Sequence, residues 1–221
     1  MTMATVSPYR WHVLLTIAFF LVITFIFFAV ATASKDKIDI KTATDETLTT
    51  PTVTFIDPQI GAETPTVTIV EFADFTCESC ADLAPTLQQL LEKYPNDVRL
   101  VWKDFPNESR SDQATPSAIA ARCADAQGVF WSYHDQLFAA QSPLGATLYQ
   151  TLADGLGLDS KKFQTCLTSS EPLPRVRKAF QEGLALSITA TPTLFINGER
   201  HTGGMTFNDL SAIVRSLTTT K

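Results

Sequence analysis

The apolar residues change rhythm several times along the chain. From Val13 to Ala31 it reads VLLTIAFFLVITFIFFAVA, uncharged, with two threonines as the only polar residues. Nineteen helical residues at about 1.5 Å each span roughly 28 Å, enough for the hydrocarbon core of a bilayer. This predicts a transmembrane anchor over 13–31 behind a short tail, 1–12. A cleavable secretory signal is the rival, with Ala31-Thr32-Ala33 as a cleavage site, but signal cores usually run only about 7 to 15 residues. Residues 32–64 are rich in Thr, Asp and Lys and contain Pro51 and Pro58, with Pro65 directly after. Such a stretch buries too little apolar surface to fold alone and reads as a flexible tether, with TVTFI (52–56) as a possible short edge strand.

A folded domain is expected over 65–221. TVTIVEFAD (66–74) is β-branched and apolar on both faces, as a central strand should be. In the segment after it, Leu83, Leu87, Leu90, Leu91 and Tyr94 recur at three- and four-residue steps, the stripe of a helix with one buried side. Pro85 should kink that helix. VRLVWKDFP (98–106) is a second strand. A helical block follows over about 111–173, then a helix from Pro174 to Ser187. TPTLFINGERHTGG (191–204) reads as a hairpin turning at Asn197-Gly198, and TFNDLSAIVRSL (206–217) as a closing helix capped by Thr206 or Asn208. The order implies an α/β fold: a right-handed strand–helix–strand unit and an antiparallel hairpin in one mixed sheet, flanked by helices, with a helical insertion.

Composition narrows the function. A net charge of −6 and a pI near 5.0 argue against a nucleic-acid partner, which would need a basic face. Neither an internal repeat nor a phosphate-cradling glycine loop is present. The four cysteines, Cys77, Cys80, Cys123 and Cys166, are too sparse for a disulfide-stapled miniprotein, though their even number suits an oxidising compartment.

Chemistry concentrates at EFADFTCESC (71–80). Cys77 falls where a strand ends and a helix begins, and the partial positive charge of a helix amino terminus favours thiolate over thiol. Cys80, one turn further on, can resolve a mixed disulfide formed at Cys77. Glu71 interrupts an apolar strand, where a buried carboxylate is costly unless it works or is paired. It therefore either takes part in the chemistry or lies at an edge paired with Lys103 or Arg99. Between the cysteines, Glu78 would disfavour the thiolate by like-charge repulsion, partly offset by the helix terminus and a Ser79 hydroxyl bond, unless it points into solvent as an ordinary first-turn acid. His12, His134 and His201 form no catalytic pattern.

EFADFTCESC, VRLVWKDFP, ARCADAQGVFWSYHDQLFAAQ and TPTLFING together resemble the DsbA-like branch of the thioredoxin fold, over about residues 64–218. The resemblance implies a thioredoxin-like core with a helical insertion and a cis-proline, Pro192, facing the redox pair, so that Thr191 offers its backbone to an extended substrate. It assigns Glu71 to moving the proton of Cys80, and suggests a structural disulfide between Cys123 and Cys166, which otherwise read equally as free buried thiols. The implied activity is a membrane-tethered thiol–disulfide oxidoreductase, most readily an oxidase for exported cysteine-containing proteins. Its implied reoxidant is a quinone-linked membrane protein of the DsbB or vitamin K epoxide reductase-like type. No small-molecule cofactor is required, because the cysteine pair carries the electrons. A reductase or isomerase of the same fold is the near alternative. A tethered zinc module using all four sulfurs is a distant one, because Cys123 and Cys166 are 43 residues apart. The oxidase reading places the domain on the extracytoplasmic side, although Lys35, Lys37 and Lys41 outnumber Arg10 and favour the opposite orientation.

Overall fold

The computed structural model describes residues 19–25, 48–140 and 143–219. Residues 19–25 of the expected anchor are helical and exposed. The rest of 13–31, the tail and the tether up to residue 47 lie outside the described residues. No helix among the described residues is long and apolar enough to cross a membrane.

The elements from residue 48 onward are β1 (Gln59–Gly61), β2 (Val67–Ala73), α1 (Glu78–Lys93), β3 (Val98–Asp104), α2 (Ala114–Asp125), α3 (Phe130–Ala139), α4 (Ala146–Gly155), α5 (Ser160–Thr168), α6 (Leu173–Ala185), β4 (Thr193–Ile196), β5 (Glu199–Thr202) and α7 (Phe207–Thr218). The strands form one sheet in the order β1-β3-β2-β4-β5, with β2 and β3 parallel and the other neighbours antiparallel. The expected mixed sheet with a helical insertion is therefore the architecture.

β2 is central and apolar on both faces because helices cover both. Val67 and Ile69 pack with Leu83, Leu87 and Leu90 of α1 and with Leu210 and Val214 of α7. Val70 and Phe72 face the other way, toward Phe105, Leu186 and Ile188. A third cluster joins the insertion to the end of the sheet, with Phe75 stacked on Trp102 at 4.7 Å between centroids and Tyr133 and Phe163 deeper in. The buried stripe of α1 starts a turn earlier than its leucines, at Cys80, and the helix runs unbroken through Pro85.

The hairpin turns at Asn197 (φ 49°) and Gly198 (φ 89°), the two positive φ values that a type I′ turn demands. The Asn197 side chain also bonds the β2 backbone, accepting from Thr68 N at 2.8 Å and donating to Thr66 O at 3.1 Å. At α7 the cap is Thr206, in a reciprocal capping box with Asp209.

The amino-terminal edge differs from expectation. The strand lies at Gln59–Gly61, not 52–56, because Thr54 and Asp57 close a turn first: Asp57 Oδ2 accepts from Thr54 N at 2.7 Å and Thr54 Oγ1 at 2.8 Å. Phe55 at the tip is 96% exposed, so the apolar alternation read there has no core behind it. The tether also stops short of residue 64. Asp57 turns inward to Lys103 Nζ at 2.9 Å, Lys103 pairs with Glu182 Oε2 at 2.9 Å, and Glu182 Oε1 accepts from Thr52 N and Oγ1 at 2.6 Å each. Polar bonds rather than apolar area hold this segment, which is why composition alone assigned it to the tether.

Cys123 and Cys166 are joined, with Cα atoms 5.7 Å apart, tying α2 to α5.

Two outcomes are expected in denaturant melts. Lys103→Ala leaves two carboxylates facing each other in a buried site and should cost about 3–5 kcal/mol, with faster amide exchange over 52–61. The double variant Cys123→Ala/Cys166→Ala should lose up to about 4 kcal/mol, the chain-entropy value for a loop of 43 residues. A loss under about 1 kcal/mol in either case contradicts the role given to that link.

Candidate active site

Four residues, 74–77, turn the chain from β2 into α1, and Asp74 sets that turn. Its Oδ1 accepts from Thr76 N at 2.8 Å and Thr76 Oγ1 at 2.9 Å, while its Oδ2 accepts from Asn107 N at 2.9 Å. One buried carboxylate thus fixes both the approach to the cysteines and the loop following β3. Cys77 is the N-cap residue of α1 and has no side-chain capping bond, so its sulfur is left free at the positive end of the helix. Its carbonyl accepts from Cys80 N at 3.0 Å and Ala81 N at 3.1 Å.

Both thiols are free and buried. Cys77 Sγ lies 3.4 Å from the carbonyl oxygen of Thr191, to which it donates while protonated. The Thr191–Pro192 bond is cis, and the residues expected in the substrate groove therefore sit directly against the first cysteine. Glu78 and Ser79 are exposed on the outer side of α1's first turn.

Electrostatics separate the two sulfurs. The Cys77 thiol is pulled down to about 5, first by a hydrogen bond from Cys80, against burial, and then by the Thr191 side chain, the Cys80 backbone and the Arg110 guanidinium. The Cys80 thiol is pushed far up, first by burial, then by its bond to Cys77 and the negative charges of Glu71 and Cys77. At neutral pH one sulfur is a thiolate and the other keeps its proton, as attack by one and resolution by the other require.

Glu71 is 1% exposed in the middle of β2, with Trp102 and Leu194 as its cross-strand neighbours. It is not an edge acid, and neither suggested partner reaches it. Lys103 pairs with Asp57 and Glu182, and Arg99 donates to the carbonyls of Ala62 and Glu63. Oε1 of Glu71 has no hydrogen-bond partner among the described residues. Burial, with the Cys77 charge second, raises its carboxyl to about 8. The coupling to Cys77 and Cys80 places this acid within electrostatic reach of both sulfurs.

Two functional candidates escaped the sequence reading. Arg110 lies in NESRSD (107–112), which looks like any polar loop and carries no local signal. Asp74 had a faint one, a carboxylate closing an apolar strand three residues before a cysteine. His134 is a packing residue, its ring among Phe75, Trp102 and Phe138 and its Nδ1 2.8 Å from Asp135 Oδ1. His12 lies outside the described residues. The zinc reading loses half its donors, because Cys123 and Cys166 are bonded to each other.

The comparisons with known proteins agree with this geometry. A family model described as thioredoxin matches residues 54–216. The sodium/proton antiporter NhaA 3 of Salinispora tropica is 37% identical over 150 residues, which are 68% of this chain and 23% of that protein. The chain thus spans about a quarter of the length of the curated relatives it matches. Oxidised BdbD from Bacillus subtilis superposes with a TM-score of 0.68 at 20% identity, covering 76% of this chain and 95% of that one. The thiol-disulfide exchange protein alpha-DsbA2 from Wolbachia pipientis does so with a TM-score of 0.68 at 17% identity, covering 74% and 88%. Those two likenesses concern the fold; the family match covers most of the sequence, and the chain belongs to the thioredoxin family.

Proposed function

We propose that the protein is an extracytoplasmic thiol–disulfide oxidoreductase that works as an oxidase, introducing disulfides into exported proteins. One observation carries the reading: a buried dithiol in which Cys77 is held down to about 5 while Cys80 is pushed up. Stabilising the thiolate stabilises the reduced form, and a couple whose reduced form is stabilised is an oxidant. The same observation favours the oxidase over a reductase, which needs its disulfide to be the more stable state. The Cys123–Cys166 bridge supports an oxidising compartment.

In the reaction, a substrate thiolate attacks Cys77 Sγ of the oxidised pair. The Cys77–Cys80 bond breaks, a mixed disulfide forms at Cys77, and Cys80 leaves with the electron pair. Its high proton affinity and burial require a proton at once, and Glu71, still protonated below about pH 8, supplies it. A second substrate thiolate then attacks the substrate sulfur of the mixed disulfide, and Cys77 departs as the thiolate held by Cys80, Thr191 and Arg110. Two electrons have moved from the substrate dithiol to the enzyme. A quinone-linked membrane protein removes them to restore the disulfide, and the apolar segment 13–31 anchors the domain near that partner.

Two tests follow. Cys80→Ser should accumulate mixed disulfides with cysteine-containing proteins in cells, and Cys77→Ser should not. Equal trapping by both variants would contradict the assigned order of attack. Glu71→Gln should slow oxidation of a dithiol peptide by roughly a hundredfold at neutral pH, the range of a general acid. Because the carboxyl of the parent loses its proton near pH 8, the ratio of parent to variant rates should fall toward unity as pH rises through that value. A ratio constant with pH would remove Glu71 from the proton transfer.

A further inference from the structure

Beside the redox pair, a cavity of about 770 Å³ opens between the loop after β3 and the outer side of α6. Thr191, whose carbonyl lies 3.4 Å from Cys77 Sγ, belongs to its wall, so the cavity begins where the nucleophile ends. Its floor is apolar, built from Phe105, Phe180 and Ile188. Phe105 and Phe180 lie 5.0 Å apart between ring centroids, and Gly183 lets them settle there, because a Cβ at that position would come within 2.5 Å of the Phe105 ring. Leu184 is 53% exposed, an aliphatic side chain left uncovered at the opening.

The charged side chains around this floor are Arg110, Arg177 and Glu108. Glu108 is engaged, its Oε1 accepting from Thr115 Oγ1 at 2.7 Å. Neither arginine forms an ion pair among the described residues. Two guanidiniums in one cavity wall without a carboxylate partner among the described residues, Arg110 also reaching the Cys77 sulfur, stand out in a chain of net charge −6. Self-repulsion among like charges does not keep them there, and a guanidinium fork fits a carboxylate in both geometry and charge.

We propose that this cavity is a substrate subsite for an extended peptide segment of the target protein, which seats an apolar side chain on Phe105, Phe180 and Ile188 and places an acidic side chain between Arg110 and Arg177. The volume suits that load, since pockets for small ligands run from roughly 300 to 1,000 Å³. Arg110 then has two successive partners. In the reduced enzyme it faces the Cys77 thiolate; in the mixed disulfide that charge is gone and the guanidinium is available to the substrate carboxylate. When Cys77 leaves as thiolate it competes for the same guanidinium, which loosens the product. The subsite rests on the oxidoreductase reading and adds to it a preference for acidic sequence around the target cysteine.

The test uses the oxidised protein and a set of short dithiol peptides that carry a leucine beside the reactive cysteine and Glu, Gln or Lys in the next position. In low salt, kcat/KM for the Glu peptide should exceed that for the Lys peptide by about tenfold, with Gln between them. Arg177→Gln should reduce the ratio by about threefold and Arg177→Glu should invert it. Replacing the leucine by serine should lower kcat/KM by about tenfold in every charge series. Equal rates for the three charge variants, or an Arg177→Glu protein with the parent's ratio, would overturn the subsite while leaving the oxidoreductase intact. A protein that exchanges disulfides with none of the peptides would overturn that reading, and the subsite with it.

Discussion

A desolvated patch can hold one negative charge cheaply and a second only at great cost, and the site is built on that limit. Three acidic groups converge at the junction of β2 and α1: Glu71, Cys77 and Cys80, all buried. Cys77 has the most compensation, from the helix terminus and from hydrogen bonds of Cys80, Thr191 and Arg110, whereas Cys80 has one backbone bond at Asp74. The charge settles there, and its presence pushes the other two groups toward their protonated forms. On the proposed mechanism, one electrostatic rule thus supplies a nucleophile, a resolving thiol that keeps its proton, and an acid able to exchange that proton near neutral pH.

The fold serves this arrangement by making the junction rigid and dry. β2 is pinned by β3 on one side and β4 on the other, so the strand that carries Glu71 has no free edge. Asp74 ties the turn before Cys77 to the loop that brings Arg110, so positions fixed in one are fixed in the other. The helical insertion closes over the end of the sheet with an aromatic cluster around Phe75 and Trp102, and its own bridge holds α2 to α5. On the opposite face, Lys103 gathers Asp57 and Glu182, drawing the segment before β1 onto the domain.

Much of this was legible in the sequence where short-range rules govern. The β-branched run of β2, the leucine stripe of α1, the Asn197-Gly198 turn and the Thr206 cap are local patterns, and each element forms within a few residues of where the pattern puts it. Cys77 at a strand-to-helix junction was readable for the same reason. What escaped depends on contacts distant in the chain. Arg110 reaches the site on a loop whose Asn107 is bound by Asp74, 33 residues earlier. Thr52 is ordered by Glu182, across 130 residues. That Lys103 and Arg99 are engaged elsewhere, leaving Oε1 of Glu71 without a hydrogen-bond partner among the described residues, no local pattern could reveal.

The central claim is that Cys77 exists as a thiolate at neutral pH while Cys80 does not. The direct measurement is the pH dependence of alkylation, resolved to individual cysteines by peptide mass, on protein reduced at the Cys77–Cys80 pair. The account predicts that Cys77 reacts with a midpoint near 5 and that Cys80 stays unreactive across the neutral range. A midpoint near 9 for Cys77, the ordinary value of a free thiol, or equal reactivity of the two cysteines, would contradict it.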